Sequence, residues 1–437
     1  MRLNDWTPRV KTKPIKLLRP YDRNARRHSS KQVQQIANSI ERFGFVTPVL
    51  VDADNQIVAG HGRVAAAKKL GMMEVPTIAI EHLTPDELRA YALADNKIAE
   101  NADWDLDILA IELQHLTTVA DLDLGLTGFE MAEIDLVIEG SKKTPPSEEI
   151  IPTVEARAIT QTGDVWLLGD HRLICGNALL ADTYQSLMED HNASMVFTDP
   201  PYNVPVDGHV CGLGRIKHRE FAMGVGEMSE EEFTAFLKAA CENLTRFSGD
   251  GALHYICMDW RHVYELLSAS RGVYSELKNI CVWNKDNAGM GSLYRSKHEL
   301  VAVFKHGKAP HTNNIELGRH GRYRTNVWDY AGVNTMRKGR LEELAMHPTV
   351  KPTALVSDAI MDSTKRGQIV LDPFAGSGTT LMAADKTGRI ARCIELDAHY
   401  CDVIIRRWET LTDGDAVHQA QGKTFKSLQA ESEAGHE

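Results

Sequence analysis

Ala193-Ser194-Met195-Val196-Phe197-Thr198-Asp199-Pro200-Pro201-Tyr202 decides the fold. An apolar run of strand formers ends abruptly at an acid, two prolines and a tyrosine. Proline has no N–H for a sheet ladder, so the strand must stop there and leave Asp199 at its carboxyl end. In open α/β sheets ligands bind at that end of the strands. The prolines stiffen the turn and leave carbonyls free as acceptors, Asp199 adds a carboxylate, and Tyr202 adds a flat face. An exocyclic aromatic amine, whose lone pair is delocalised into its ring, needs such acceptors before it can act as a nucleophile.

A second stretch has the same logic. Ile369-Val370-Leu371-Asp372-Pro373-Phe374-Ala375-Gly376-Ser377-Gly378-Thr379-Thr380 reads as a strand, a tight glycine loop and a helix start. The glycines allow close backbone approach of a ligand at a helix N-terminus. No G-K-[ST] follows, so a nucleoside triphosphate is not indicated. Arg392-Cys393-Ile394-Glu395 then places an acid at the end of the next strand, the position from which a carboxylate grips a ribose diol.

Strands and helices alternate from about 161 to 411, which predicts a doubly wound, largely parallel α/β sheet. Residues 14–100 read as a small α+β unit. In it KQVQQIANSIERFG is a helix stopped by Gly44, FVTPVLVD, QIVAG and VPTIAI are strands, and VAAAKKLG is a short helix. Residues 101–160 read as a helical connector and linker. Residues 84–139 read as mainly helical, opening on a capping box at Thr84 within the front unit, and the polar stretch 140–149 is the linker. Residues 412–437 are polar and are expected to fray.

The chain has 437 residues, enough for two or three domains, with 43% apolar and 25% charged residues. Its seven cysteines form no C-x-x-C pair, which suits reduced thiols in the cytoplasm. MRLNDWTPRVKTKPIK lacks the apolar core of a secretory signal, and no stretch is apolar enough to span a membrane. The net charge of −11 argues at first against a polyanionic partner. The charge is segregated, however: residues 1–31 and 295–351 are both strongly basic, and local basic patches can hold phosphates on an acidic body.

With these motifs on the page, residues 161–411 resemble the amino-methyltransferases of DNA modification. Their DPPY, F-x-G-x-G and K-P motifs appear here as 199–202, 374–378 and Lys351-Pro352 of His347-Pro348-Thr349-Val350-Lys351-Pro352. The acceptor motif precedes the glycine loop, the permuted order of the beta class. The resemblance implies a Rossmann-like methyltransferase sheet, S-adenosyl-L-methionine as cofactor, and Asp199, Pro200, Pro201 and Tyr202 as catalytic residues. It further implies cofactor contacts from Asn177, Lys351, Pro352, Asp372, Phe374, Gly376, Gly378, Thr379 and Glu395, with Lys351-Pro352 at the methionine end. Asn177 stands where relatives carry Asp, but an amide still accepts and donates.

Trp283-Asn284-Lys285 and Tyr294-Arg295-Ser296-Lys297-His298-Glu299 resemble segments flanking the base pocket in that class, and residues 305–346 fall where it keeps its target-recognition region. Arg295, Arg319, Arg322, Arg324, Arg337, Lys338 and Arg340 are the candidate DNA contacts. Residues 204–228 are expected to form a mobile loop beside a flipped base. In front, Arg23-Asn24-Ala25-Arg26-Arg27-His28 and Val58-Ala59-Gly60-His61-Gly62-Arg63 resemble the ParB/sulfiredoxin-like fold. That likeness implies a phosphate box at Gly60, Gly62 and Arg63, open to a nucleotide.

The expectation is a site-specific DNA methyltransferase of a restriction-modification type, cytoplasmic and nucleoid-associated. It acts on double-stranded DNA, with no metal and no membrane partner, and a homodimer is allowed. Asp rather than Ser in the acceptor motif favours N6 of adenine over N4 of cytosine. A ParB-like nucleotide switch with a non-catalytic rear domain and an RNA methyltransferase are the alternatives.

Overall fold

The computed structural model describes residues 7–117, 122–141, 151–204, 226–286, 293–315, 317, 324–331 and 350–434. Most of the 140–149 linker, most of the 204–228 loop and most of the 305–346 region lie outside them. The chain forms two compact units, Met1–Lys142 and Lys143–Glu437.

The first unit holds β1 (Val10–Pro14), α1 (Ser30–Phe43), β2 (Val49–Val51), β3 (Ile57–Ala59), α2 (His61–Lys69), β4 (Glu74–Ala79), α3 (Pro85–Ala99), α4 (Leu106–Thr117) and α5 (Met131–Ser141). The strands form one sheet in the order β1-β4-β2-β3. The Gly44 stop and the Thr84 capping box form as anticipated, and Ser29 adds an N-cap that the sequence reading did not name. Ser29 caps α1 by accepting from Gln32 N, Gly44 ends it at φ 82°, and Thr84 with Glu87 forms a complete capping box on α3. Ile15, Val49, Val51, Ile57, Val64 and Val75 make its core. A second small core joins Leu109 and Leu113 of α4 to Leu124 and to Ile134 and Ile138 of α5.

The second unit runs β5 (Val165–Leu168), β6 (His171–Cys175), α6 (Ala181–Met188), β7 (Ala193–Thr198), α7 (Glu230–Arg246), β8 (Ser248–Met258), α8 (Val263–Ser270), β9 (Glu276–Asn284), β10 (His298–Lys305), β11 (Val327–Asp329), α9 (Thr353–Ser363), β12 (Ile369–Asp372), α10 (Thr379–Lys386), β13 (Ile390–Glu395), α11 (Ala398–Thr412), β14 (Val417–His418) and α12 (Phe425–Ala434). Among the described residues one ten-stranded sheet has the order β11-β9-β10-β8-β7-β12-β13-β6-β5-β14. Its centre, β8-β7-β12-β13-β6, is parallel throughout. β10 is antiparallel to both β8 and β9. The architecture is the Rossmann-like sheet anticipated, preceded in the sequence by a small α+β unit.

The order carries the functional consequence. The chain lays β6, β7 and β8 in sequence but leaves a gap that β12 and β13 fill much later. β12 pairs in parallel with β7, Leu371 opposite Val196, so the turns after both strands emerge side by side at one end of the sheet.

The end of the chain departs from expectation. Residues 412–437 are polar, yet β14 pairs with β5, and Phe425 packs edge-on against buried Trp166 at a centroid distance of 5.4 Å. A few apolar side chains suffice to fix this segment because β5 would otherwise be an open edge.

Candidate active site

The four strand ends β6, β13, β12 and β7 line up in parallel, and each delivers one predicted group. Asn177 follows β6, Glu395 closes β13, the loop 373–378 follows β12, and Asp199 follows β7. The acceptor motif and the glycine loop are tied directly: Thr198 Oγ1 donates to Asp372 Oδ1 at 2.8 Å. Asp372 Oδ1 also accepts Phe374 N–H at 3.1 Å, and burial pushes its carboxyl up to about 6. Asp372 is 3% exposed, so its side chain braces the two loops from within.

The glycine loop has the anticipated shape. Gly376 and Gly378 take φ of 54° and 81°, and Gly378 is the left-handed N-cap of α10. A Cβ on Gly378 would stand 3.0 Å from Ile404 on α11, so loop and helix approach as closely as glycine permits. Buried Arg407 supports the turn from α11, donating to the Ser377 carbonyl at 3.0 Å. Glu395 accepts Gly376 N–H at 2.8 Å and Asp397 N–H at 2.9 Å. Burial outweighs those donors and pushes its carboxyl up to about 7. Asn177 is half-buried, and its Oδ1 accepts from Leu179 N at 2.9 Å. Thr379, 8% exposed, begins α10, while Phe374 is half-buried and lies 5.9 Å from the ring of Phe236. A cradle of close backbone, an N-terminal helix turn and an acid at the next strand end fits a nucleoside with a ribose diol.

At the acceptor motif, Pro200 is buried and Asn203 takes a left-handed φ of 54°. Asn203 Nδ2 donates to the Met228 carbonyl at 2.8 Å, and its Oδ1 accepts Gly226 N and Met228 N at 3.1 and 3.2 Å. It therefore fastens together both ends of the loop that starts at Val204. Tyr202 OH donates to Asp199 Oδ1 at 2.6 Å.

Lys351, the expected contact at the methionine end of the cofactor, lies beside the acceptor motif: its Nζ, on a side chain 5% exposed, donates to Asp199 Oδ2 and lies 3.0 Å from Glu299 Oε2. Pro352 caps α9 directly behind it. Lys285, just past β9, pairs with Glu299 Oε1, and the Trp283 ring has Lys285 Nζ at 4.5 Å and Lys351 Nζ at 5.9 Å. Burial raises the Asp199 carboxyl against the pull of Lys351, and Glu299 adds to the rise. Burial would raise Glu299 too, but Lys351 and Lys285 hold it down to about 2. Glu299 and Lys285 are site residues that sequence reasoning did not single out, although both lie in segments it flagged. Their contacts arise from the β9–β10 pairing, in which Glu299 opposes Trp283.

Of the candidate DNA contacts, Arg295 is exposed in the β9–β10 connection, at the same end of the sheet as Asp199. Arg324 is engaged within the protein: its Nη1 lies 3.0 Å from Asp358 Oδ2, its Nε lies 3.0 Å from Asp362 Oδ2, and its side chain is 17% exposed. It clamps the segment leading to β11 onto α9. Arg319, Arg322, Arg337, Lys338 and Arg340 lie outside the described residues.

In the front unit, Gly60 is the left-handed N-cap of α2, and Arg63 folds over it so closely that a Cβ would stand 3.1 Å from Nε. Gly62 is buried against His28 and Ile36, which would meet a Cβ at 3.0 and 3.1 Å. The box thus brings α2 onto α1 and sets a guanidinium at a helix N-terminus.

Comparison with known proteins agrees with this geometry. A DNA methylase profile matches residues 193–406, a ParB N-terminal domain profile residues 4–97, and a ParB-methyltransferase HTH domain profile residues 107–162. The chain is 26% identical to the type II methyltransferase M.HpaI of Haemophilus parainfluenzae, over 56% of this chain and 76% of that protein. It is 26% identical to the DNA adenine methyltransferase YhdJ of Escherichia coli, over 54% of this chain and 83% of that protein. Its front unit is similar to the ParB-like nuclease domain-containing protein YnaK of Escherichia coli, 48% identical over 17% of this chain and 86% of that protein. The chain carries an N6/N4 DNA methylase domain, with a ParB N-terminal domain and a ParB-methyltransferase HTH domain ahead of it in the sequence.

Proposed function

We propose that this DNA methyltransferase moves a methyl group from S-adenosyl-L-methionine to the exocyclic N6 amino group of adenine in double-stranded DNA. The observation that carries the reading is the pairing of β7 with β12, which sets Asp199 and the 373–378 turn side by side. The glycine loop, Glu395 and Asn177 would hold the cofactor, which supplies the methyl as a sulfonium electrophile.

The chain's own residues prepare the nucleophile. Asp199 and the carbonyls of Pro200 and Pro201 accept the amino hydrogens, localising the nitrogen lone pair, while the Tyr202 ring faces the extruded base. The nitrogen turns cationic as its bond to the methyl carbon forms and the methyl–sulfur bond breaks, which would leave neutral S-adenosylhomocysteine, and Asp199 or water takes the surplus proton. An acid rather than serine at the head of the motif supports adenine, as does likeness to a named adenine methyltransferase. The HTH segment and Arg295 would add contacts to the duplex, and Arg63 with the α2 N-terminus would receive a phosphate.

Asp199→Ala tests the assignment. Transfer of labelled methyl to duplex DNA should fall at least ~1,000-fold, with cofactor affinity within about threefold of wild type. Persistent transfer would remove Asp199 from its role, and labelled cytosine would move the target to N4.

A further inference from the structure

Asp199 would meet a target amine with both oxygens engaged, Oδ1 by the Tyr202 hydroxyl and Oδ2 by Lys351. Lys351 is shared: Glu299 Oε2 lies 3.0 Å from the same ammonium, and Lys285 holds the other oxygen of Glu299. Two carboxylates and two ammoniums thus balance in a site where Lys351 and Glu299 are 5% and 13% exposed. So little water screens a unit charge poorly. Methyl transfer makes the target nitrogen cationic, so an ammonium held wholly on Asp199 opposes the reaction twice, by occupying an acceptor and by repelling the developing charge. The Trp283 face beside both lysines lets an ammonium shift between carboxylates while keeping a favourable contact.

We propose that Glu299 is a positioning residue for the reaction: it draws Lys351 off Asp199, releasing that carboxylate to the target amine while the four charges stay balanced. The inference rests on the methyl-transfer reading above. It differs from a packing role because the effect passes through Lys351, although Glu299 also accepts from the Tyr202 hydroxyl at 3.3 Å and pairs with Lys285.

A double-mutant cycle on the full-length protein reads this dependence in single-turnover methyl transfer to duplex DNA. Glu299→Gln is isosteric and strands the Lys351 charge on Asp199. The rate should fall at least ~10-fold with cofactor affinity within about threefold of wild type. Against a Lys351→Met background, the same Glu299→Gln change should alter the rate less than about threefold, because nothing remains for Glu299 to draw away. If Glu299→Gln does not fold, with a buried ammonium left unpaired, the comparison of Lys351→Met with the double variant decides alone. A single variant as fast as wild type overturns the proposal, and so does an equal loss in both backgrounds. Wild-type protein that transfers no methyl overturns the underlying reading as well, so the two failures are distinct.

Discussion

As the proposed holder of the cofactor's ribose, Glu395 would link cofactor binding to pH. Its folded value of about 7 means that it is mostly protonated at pH 6 and mostly ionised at pH 8. A ribose diol donates two hydrogens and needs the ionised form. Cofactor affinity should therefore tighten several-fold as pH rises from 6 to 8, and Glu395→Gln should flatten the profile, as read by calorimetry. A pH-independent wild type would contradict this. Stability runs the other way: a raised carboxyl favours folding below its unfolded value, and that contribution is lost as pH climbs through about 7. Asp199, Tyr202, Gly376 and Glu395 were legible in the sequence because each belongs to a short motif at a strand end. Glu299 and Lys285 were not, because charged residues beside an aromatic read equally well as a solvated face until the β9–β10 register turns them inward.

Among the elements, the loop between β12 and α10 depends most on a single backbone conformation. Gly378 combines φ 81° with Ile404 at the place a Cβ would need. Gly378→Ala should cost about 1–3 kcal/mol and weaken cofactor binding, measured by denaturant titration and calorimetry. Unchanged stability would mean that α11 yields more readily than its buried packing implies. Element types and their order were readable from periodicity and punctuation. Two features were not. The segment after 412 holds its place through Phe425 on Trp166, two residues far apart in sequence. Arg324 reads as one more basic residue in a basic stretch, and only the fold brings Asp358 and Asp362 to it.

For the whole molecule, the net charge of −11 sits beside two basic stretches, so contact with DNA must be local and electrostatic. Raising salt from 50 to 200 mM should increase the KM for DNA by about tenfold or more while moving the KM for cofactor little. Equal sensitivity of both would point to a general effect on the protein. The central claim is that the turns after β7 and β12 form one site for methylating an adenine amine. Its most direct measurement is nucleoside mass spectrometry of duplex DNA incubated with the protein and methyl-deuterated S-adenosylmethionine. The account predicts deuterated N6-methyladenine, absent with Asp199→Ala. Deuterium found only in 5-methylcytosine, only in RNA, or nowhere would contradict it.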